Sequence, residues 1–448
     1  MLYDFLEISR TSGVPVSRQI YEGTRAAILT GKLEEGTRLP SIRVASAELG
    51  VSRTTVETAY NRLCDGGYAA SRPQKGYFVK KTALARESRQ REARDTEAAK
   101  YDFTSKSVDL SAADIDGWRK HVRAALKCEP DIVSYGSPRG EKLLRNALSE
   151  YSYTARGVIA SPDNIIVGAG TQTLLILLCR ILDRDSVIGM KSGFRHAERI
   201  FSDFGFKVYR VLSEDAADVE NELERAHVTV YMDLPSVRPR TSPQQEKIYR
   251  AHLLRWVNGG DRYIIEDDYN GELKYRARPV PAMQGLDTGK IIYMGSFSKL
   301  LLPSVRIAYM ALAPDMAGKL IKNLDGYNQT ASKIEQLALA GYIRHGQLER
   351  HLRKLRKIYS AKSSTMLDEL TKYEGVASAL VLESSLAVVA EIETEKSASE
   401  LKEYLKRAGV LVADPERTDR GFRFELSFAG MDMGDIGEAV KCLMTAVK

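Results

Sequence analysis

Cysteine is scarce, with four residues in 448 (Cys64, Cys128, Cys179, Cys442), scattered and without C-x-x-C spacing. That excludes a disulfide framework or a cysteine-based zinc site as the organising feature, and suits reduced thiols in a cytoplasm. The six histidines form no metal-ligand pattern. No apolar run approaches the length of a membrane span, and the N-terminal MLYDFLEISR lacks the layout of a signal peptide. A large excess of one charge is missing too. The net +7 permits nucleic-acid contact without establishing it. What is present, 44% hydrophobic and 28% charged residues, is ordinary for a globular protein, and the length predicts two or three domains.

Residues 1–80 read as the first domain, with its pattern concentrated in 16–79. Val16–Thr30 carries apolar residues at helical spacing (Val16, Ile20, Ala27, Ile28), and Gly31 stops it. Ser41 is placed to cap a short helix ending at Leu49-Gly50, and Ser52 to cap a second that Asp65-Gly66-Gly67 breaks after Cys64. Two short helices joined by a glycine turn predict a helix-turn-helix. The second opens with Arg53, Thr54 and Thr55, donors placed where a recognition helix meets bases. Tyr68–Ser71 and Tyr77–Val79 read as two strands around Arg72-Pro73-Gln74-Lys75-Gly76, a wing whose tip can approach phosphates. A small helical bundle with solvated arginines is the bland alternative. Residues 81–100 mix both charge signs around one large apolar side chain, Leu84, and predict a linker that cannot bury enough surface to offset its ordering entropy.

The third segment, 101–448, is organised around Ile291–Met310, IIYMGSFSKLLLPSVRIAYM. Ile291–Met294 reads as a buried strand, Gly295 and Ser296 turn the chain, and Lys299 follows among Phe297 and three leucines. An apolar frame predicts a desolvated, nucleophilic amine. Lysines also snorkel from apolar elements, so Lys299 alone decides nothing. Upstream, the strand Tyr263–Asp267 ends in acids, where open α/β sheets bind ligands. Gly168-Ala169-Gly170 precedes an apolar helix (Leu174–Leu182), a placement that exposes N–H groups to an anion or makes a plain turn. An amphipathic helix with Leu143, Leu144, Ala147 and Leu148 follows the turn at Tyr135. One long amphipathic helix with a basic face from Arg350 to Lys357 is read in KIEQLALAGYIRHGQLERHLRKLRKIYSAKSSTML, and alternating strands and helices close the chain as a small α/β domain.

With L-P-S-x-R, V-S-R-T-T-V and the K-G-Y-F-V wing in one span, the first domain resembles the GntR winged-helix family. The resemblance implies that Arg43, Arg53, Thr54, Thr55, Lys75 and Gly76 contact double-stranded DNA, with Ser52 and Arg72 as backbone anchors. The strand-terminal Asp267, the S-x-S-K turn and the downstream Arg306 resemble fold-type I aminotransferases, which use pyridoxal 5′-phosphate (PLP). It implies that Lys299 captures the aldehyde, Asp267 pairs with the ring nitrogen and Tyr269 meets the phenolic oxygen. By the same likeness Ser296, Arg306, Thr171 and Gln172 hold the phosphate, Phe194 stacks on the ring, and Tyr135 reaches the phosphate of the neighbouring subunit. Q-L-A-L-A-G-Y-I-R-H-G with the R-H-L-R-K-L-R run resembles the MocR subgroup, which joins the two modules.

The expectation is therefore an α/β chain: an N-terminal winged helix-turn-helix, a large PLP-dependent transferase-like domain, and a small C-terminal α/β subdomain. Its implied activity is regulatory, with operator DNA bound by a head-to-tail homodimer and an amine, an amino acid or PLP itself as effector. Two departures count against turnover. Residues 234–243 read LPSVRPRTSP, lacking the His or Asn that relatives carry there and with Ser242 for a glycine. In RFELSFA, Glu425 takes the seat of the arginine that grips a carboxylate in the enzymes. Either Arg423, on the same strand face, substitutes, or the effector is not a simple α-amino acid; Glu425 would then favour an amine, or be a surface acid in a shifted alignment. An aminotransferase with an appended DNA-binding module is the alternative, and a residual half-transamination stays open to the regulator.

Overall fold

Helices α1 (Val16–Leu29) and α2 (Ile42–Leu49) both pack against α3 (Arg53–Asp65). The side chain of Ser41 accepts the N–H of Val44, and Gly50 ends α2 at φ 61°, a backbone conformation that favours glycine. Ser52 repeats the cap for α3, accepting the Thr55 N–H at 3.1 Å. Strands β1 (Ala69–Arg72) and β2 (Gly76–Val79) pair antiparallel. Ile20, Ala45, Val56, Ala59, Tyr60, Leu63 and Val79 form the buried core of this unit. The computed structural model describes residues 6, 8, 15–29, 32–72, 75–80, 99–104, 107–127, 132–191, 195–235, 242–276, 280–324, 326–382 and 385–448. The chain divides into two compact units, Met1–Ala99 and Lys100–Lys448. Most of the expected linker, 81–98, lies outside the described residues.

The second unit opens with β3 (Tyr101–Asp102) and is built on a seven-stranded sheet. Its strands are β4 (Ile165–Gly168), β5 (Val187–Lys191), β6 (Lys207–Val211), β7 (Val230–Asp233), β8 (Tyr263–Asp267), β9 (Ile291–Ser296) and β10 (Ala308–Ala311). The order is β4-β10-β9-β8-β7-β5-β6, and β10 alone runs antiparallel to its neighbours. Both faces are covered, which is why the strands read as near-continuous apolar runs. Alternate residues go to opposite cores: Ile165, Val167, Tyr293 and Tyr309 to one, Ile166, Ile292, Met294 and Met310 to the other.

A second sheet, antiparallel, has the order β11 (Val376–Leu382), β12 (Ala387–Glu393), β15 (Gly421–Ser427), β14 (Glu416–Arg417). β13 (Val410–Leu411) pairs in parallel with β3. Two readings need correction. The long basic helix is two, Lys333–Arg344 and Gln347–Thr371, separated at Gly346 with φ 66°. Leu143 is exposed on the helix Lys142–Arg156, whose buried face includes Leu144, Ala147, Leu148 and Tyr151. Among the described residues no helix is long and apolar enough to cross a membrane, and no cluster of His, Cys, Asp or Glu is placed to hold a metal ion.

Candidate functional site

Parallel strands deliver their C-terminal ends to one edge of the sheet. Asp267 ends β8 there, Ser296 ends β9, and Gly168 ends β4. Ala308 pairs with both Gly168 and Ser296, so the antiparallel β10 starts between them and brings Arg306, two residues earlier, to the same edge. Arg306 stands at φ 52°, a region costly for a side chain with a Cβ. Its guanidinium donates to the Ala169 carbonyl at 3.4 Å. Gly170 (φ 105°) begins the helix Thr171–Cys179, and a Cβ there would meet Arg306 Nη2 at 2.4 Å. A helix N-terminus, a glycine and a guanidinium converge as an anion cradle. Thr171 and Gln172 are the first residues of that helix. Ser296 Oγ lies 3.3 Å from Ser298 Oγ and accepts the Ser298 N–H.

Lys299 follows this turn, and its surroundings differ from the sequence expectation. Phe297, Leu300 and Leu301 are buried in the core, whereas Lys299 is half-buried and its Nζ donates to the Ser107 carbonyl at 3.1 Å. The apolar neighbours anchor the turn from below and do not enclose the amine. Ser107 is held in turn. Two residues on, the buried Asp109 accepts from the buried Lys362 at 2.6 Å, and Lys362 also donates to the Met431 carbonyl. Phe103 donates to the Leu411 carbonyl at 2.9 Å and its own carbonyl accepts the Ser427 N–H at 2.8 Å.

Beneath the edge lies a buried acidic cluster. Burial, then the neighbouring Asp268, pushes the Asp267 carboxyl up to about 7, against the opposing backbone N–H of Tyr269. Glu266 and Glu272 are likewise raised to about 7, first by burial. Arg156 pairs with Asp268 at 2.6 Å, both almost fully buried, and the Tyr293 hydroxyl donates to the same carboxylate at 3.1 Å. Glu266 accepts the N–H groups of Met283 and Gln284, and Glu272 accepts from the Tyr151 hydroxyl at 3.1 Å. Arg156 was missed in the sequence, where it reads as an ordinary basic residue in the last turn of a helix.

Tyr269 links this cluster to the second sheet. Burial raises its phenol, the Ser385 hydroxyl opposes, and the carboxylates of Asp267 and Glu425 add to the rise. Glu425 and Arg423 are exposed residues of β15 that alternate with buried Phe422, Phe424 and Leu426. Arg423 Nη1 is paired with Glu416 at 3.1 Å. Tyr135 is 81% exposed. Phe194 and residues 236–241 of the PSVRPRTS segment lie outside the described residues.

In the first unit, Arg43 near the start of α2 and Arg53 and Thr54 at the start of α3 are exposed. Ser52 and Thr55 hydrogen-bond each other through their hydroxyls at 2.7 Å, so both act in the cap of α3. On the wing, Lys75 is exposed and the Arg72 guanidinium lies 4.7 Å from the Phe78 ring centroid. Arg38, unnoticed in the sequence, bridges to Phe78 and brings its side chain within 3.6 Å of a Cβ position at Gly76. Arg38, Arg72 and Lys75 thus cluster basic charge on the wing.

Comparison with known proteins matches residues 16–79 to the bacterial regulatory proteins of the gntR family. Residues 105–233 match aminotransferase class I and II. The HTH-type transcriptional regulator YdeL of Bacillus subtilis (strain 168) is 31% identical over 98% of this chain and 98% of its own. The "Probable rhizopine catabolism regulatory protein MocR" of Rhizobium meliloti is 32% identical over 81% of this chain and 78% of its own. An archaeal alanine:glyoxylate aminotransferase superposes with a TM-score of 0.69 at 22% identity, covering 82% of this chain and 96% of that one, a likeness of fold. An end-to-end relative at this identity, with both modules matched in order, settles the family: the chain belongs to the MocR subgroup of the GntR transcriptional regulators, a winged helix-turn-helix joined to a fold-type I aminotransferase-like domain.

Proposed function

We propose that this regulator binds operator DNA as a head-to-tail homodimer, holds PLP at Lys299, and senses an amine, an amino acid or PLP itself. The observation that carries the cofactor reading is the convergence, at one sheet edge, of a reachable primary amine, a buried carboxyl and an anion cradle. These residues fit PLP. Gly170 leaves open the space beside Arg306 that a Cβ would fill, and Asp267 is a carboxyl whose burial a cationic ring nitrogen would relieve. Lys299 would hold the aldehyde carbon, Asp267 the ring nitrogen and Tyr269 the phenolic oxygen. Ser296, Arg306, Thr171 and Gln172 would hold the phosphate, with Tyr135 serving the neighbouring subunit's phosphate. When bound, the cofactor supplies an electrophilic carbon that captures primary amines.

DNA reading rests on Arg53 and Thr54 at the recognition helix, Arg43 beside it, and Lys75, Gly76, Arg72 and Arg38 on the wing. Ser52 and Thr55 set the helix end that presents them. A dimer then requires two half-sites. Sensing reaches the linker through residues 101–104 and 107–112, which touch Lys299, β13 and β15 just after the linker ends. An effector acts on DNA only through a different affinity for two arrangements of those contacts.

Footprinting of the gene's own upstream region, with and without PLP, tests the whole reading, and the visible absorbance of the loaded protein tests the cofactor part. Lys299→Ala should lose that absorbance. Arg53→Ala should lose the footprint and keep the absorbance. Colourless protein that takes up no PLP would refute the cofactor reading, and keto-acid release over many turnovers would favour the enzyme instead.

A further inference from the structure

Tyr135 is a large side chain left 81% exposed, yet the backbone on either side of it is held. Lys333, the first residue of the helix Lys333–Arg344, donates through Nζ to the Ser134 hydroxyl at 3.0 Å. Gly136 donates its N–H to Gln329 Oε1, also at 3.0 Å. That approach is close, since a Cβ at Gly136 would press on the Gln329 side chain at 3.2 Å. Further along the same turn, the buried Gln336 accepts the Glu141 N–H at 2.7 Å. Residues 329–336 thus grip the turn at Ser134, Gly136 and Glu141. A tyrosine carried on so fixed a backbone is presented outward with little ordering left to do.

The same segment reaches the anion cradle. Thr330, next to Gln329, accepts the Ala169 N–H on its hydroxyl at 3.3 Å. The Ala169 carbonyl accepts from Arg306 at 3.4 Å. The residue between Gly168 and Gly170 is therefore fixed through both of its backbone polar groups. Two adjacent side chains hold two separate turns: Thr330 the glycine loop beside Arg306, and Gln329 the turn that carries Tyr135.

We infer that Gln329, Thr330 and Lys333 are positioning residues for two cofactor sites at once. Thr330 sets the phosphate cradle of its own protomer, and Gln329 with Lys333 aims Tyr135 at the phosphate held by the neighbouring one. This rests on the reading of the chain as a head-to-tail dimer that holds PLP. It sorts close neighbours in sequence into two kinds. Loss of the Thr330 hydroxyl harms the site of the chain that carries the change. Loss of Gln329 or Lys333 harms the site of the other chain.

Mixed dimers of full-length chains, isolated through two different affinity tags, test this. One member carries Lys299→Ala, so a single site can bond the aldehyde, and PLP titration followed by visible absorbance gives the Kd of that site. As homodimers, Gln329→Met and Thr330→Val should each bind PLP about fivefold or more weaker than the parent, the scale of a hydrogen bond to a charged group. Thr330→Ser, which keeps the hydroxyl, should restore the parent value. Paired with Lys299→Ala, the Gln329→Met chain should regain the affinity of an unaltered chain paired the same way, because its site then receives Tyr135 from an intact bracket. Thr330→Val in the same pairing should stay weak. Lys333→Met, which frees the other flank of Tyr135, should follow Gln329→Met and is an independent variant should that one not fold. A Gln329→Met mixed dimer that stays weak, a Thr330→Val mixed dimer that recovers, or homodimers of parent affinity overturn the inference. If the parent shows no Lys299-dependent absorbance, the cofactor reading falls and this inference with it. If the absorbance is present and the two variants behave alike in mixed dimers, the inference alone falls.

Discussion

Asp267→Asn should make the cofactor-free protein more stable at pH 8 and a poorer holder of PLP. The Asp267 carboxyl is held at about 7, against an ordinary 3.8, by burial and by Asp268. A carboxyl raised in the folded state contributes stability that is complete below its unfolded value and lost as pH rises through the folded one. The window here is about pH 4 to 7. At about 1.4 kcal/mol per pH unit, the ionised side chain costs up to about 4 kcal/mol by pH 8. Asparagine removes the charge and retains an oxygen to accept the Tyr269 N–H. Urea unfolding of the cofactor-free protein from pH 4 to 8 should show the variant level with the parent at the acid end and more stable by roughly 2–4 kcal/mol at the alkaline end. PLP titration of the same samples should show weaker binding by Asp267→Asn, because its amide cannot pair with a cationic ring nitrogen. A stability difference that does not change with pH, or a variant less stable at pH 8, would refute the claim that Asp267 is a buried acid waiting for a cation.

Arg156→Met should cost roughly 3–5 kcal/mol in urea unfolding, since it strands the Asp268 carboxylate among Glu266, Asp267 and Glu272. Lys362→Met should cost a similar amount, roughly 3–5 kcal/mol, whereas Lys362→Met with Asp109→Leu should recover most of it. Lys75→Ala should weaken operator binding across sequences and lower the slope of log affinity against log salt by about 1, as measured by fluorescence anisotropy at several salt concentrations.

Local signals were legible. Ser41, Gly50 and Ser52 specify the ends of α2 and α3 through short-range hydrogen bonds and one left-handed residue, so their spacing carries the helix-turn-helix. β8 and β9 were legible as apolar runs because both faces of the sheet are buried. The β3–β13 pairing was not, because each strand is two residues long and the partner is remote in sequence. The Arg156–Asp268 pair joins residues 112 apart, and nothing near either marks the other. Lys299 shows the limit of composition. Leucines beside a lysine in sequence suggest a desolvated amine, yet the turn after β9 sends them into the core and the amine toward Ser107. The helix break at Gly346 was readable in principle from R-H-G, but the apolar period continues past it on both sides.

Residues 101–104 and 107–112 touch both the second sheet and the Lys299 turn. Phe103 is bonded to β13 through its N–H and to β15 through its carbonyl, the latter at Ser427, two residues from Glu425. The Ser107 carbonyl holds Lys299, and Asp109 is clamped by Lys362, which also grips the Met431 carbonyl just beyond β15. On the proposed reading, ligand chemistry at Lys299 would compete with the hydrogen bond that the Ser107 carbonyl accepts, and a shift of β15 at Ser427 would pull on Phe103. Both perturbations therefore act on a short run of chain that follows the linker. A buried ion pair is weak evidence for stability, but removing one partner strands the other's charge. The buried Lys362–Asp109 pair anchors the chain two residues after Ser107, so on the proposed reading displacement of the Ser107 contact would work against that pair.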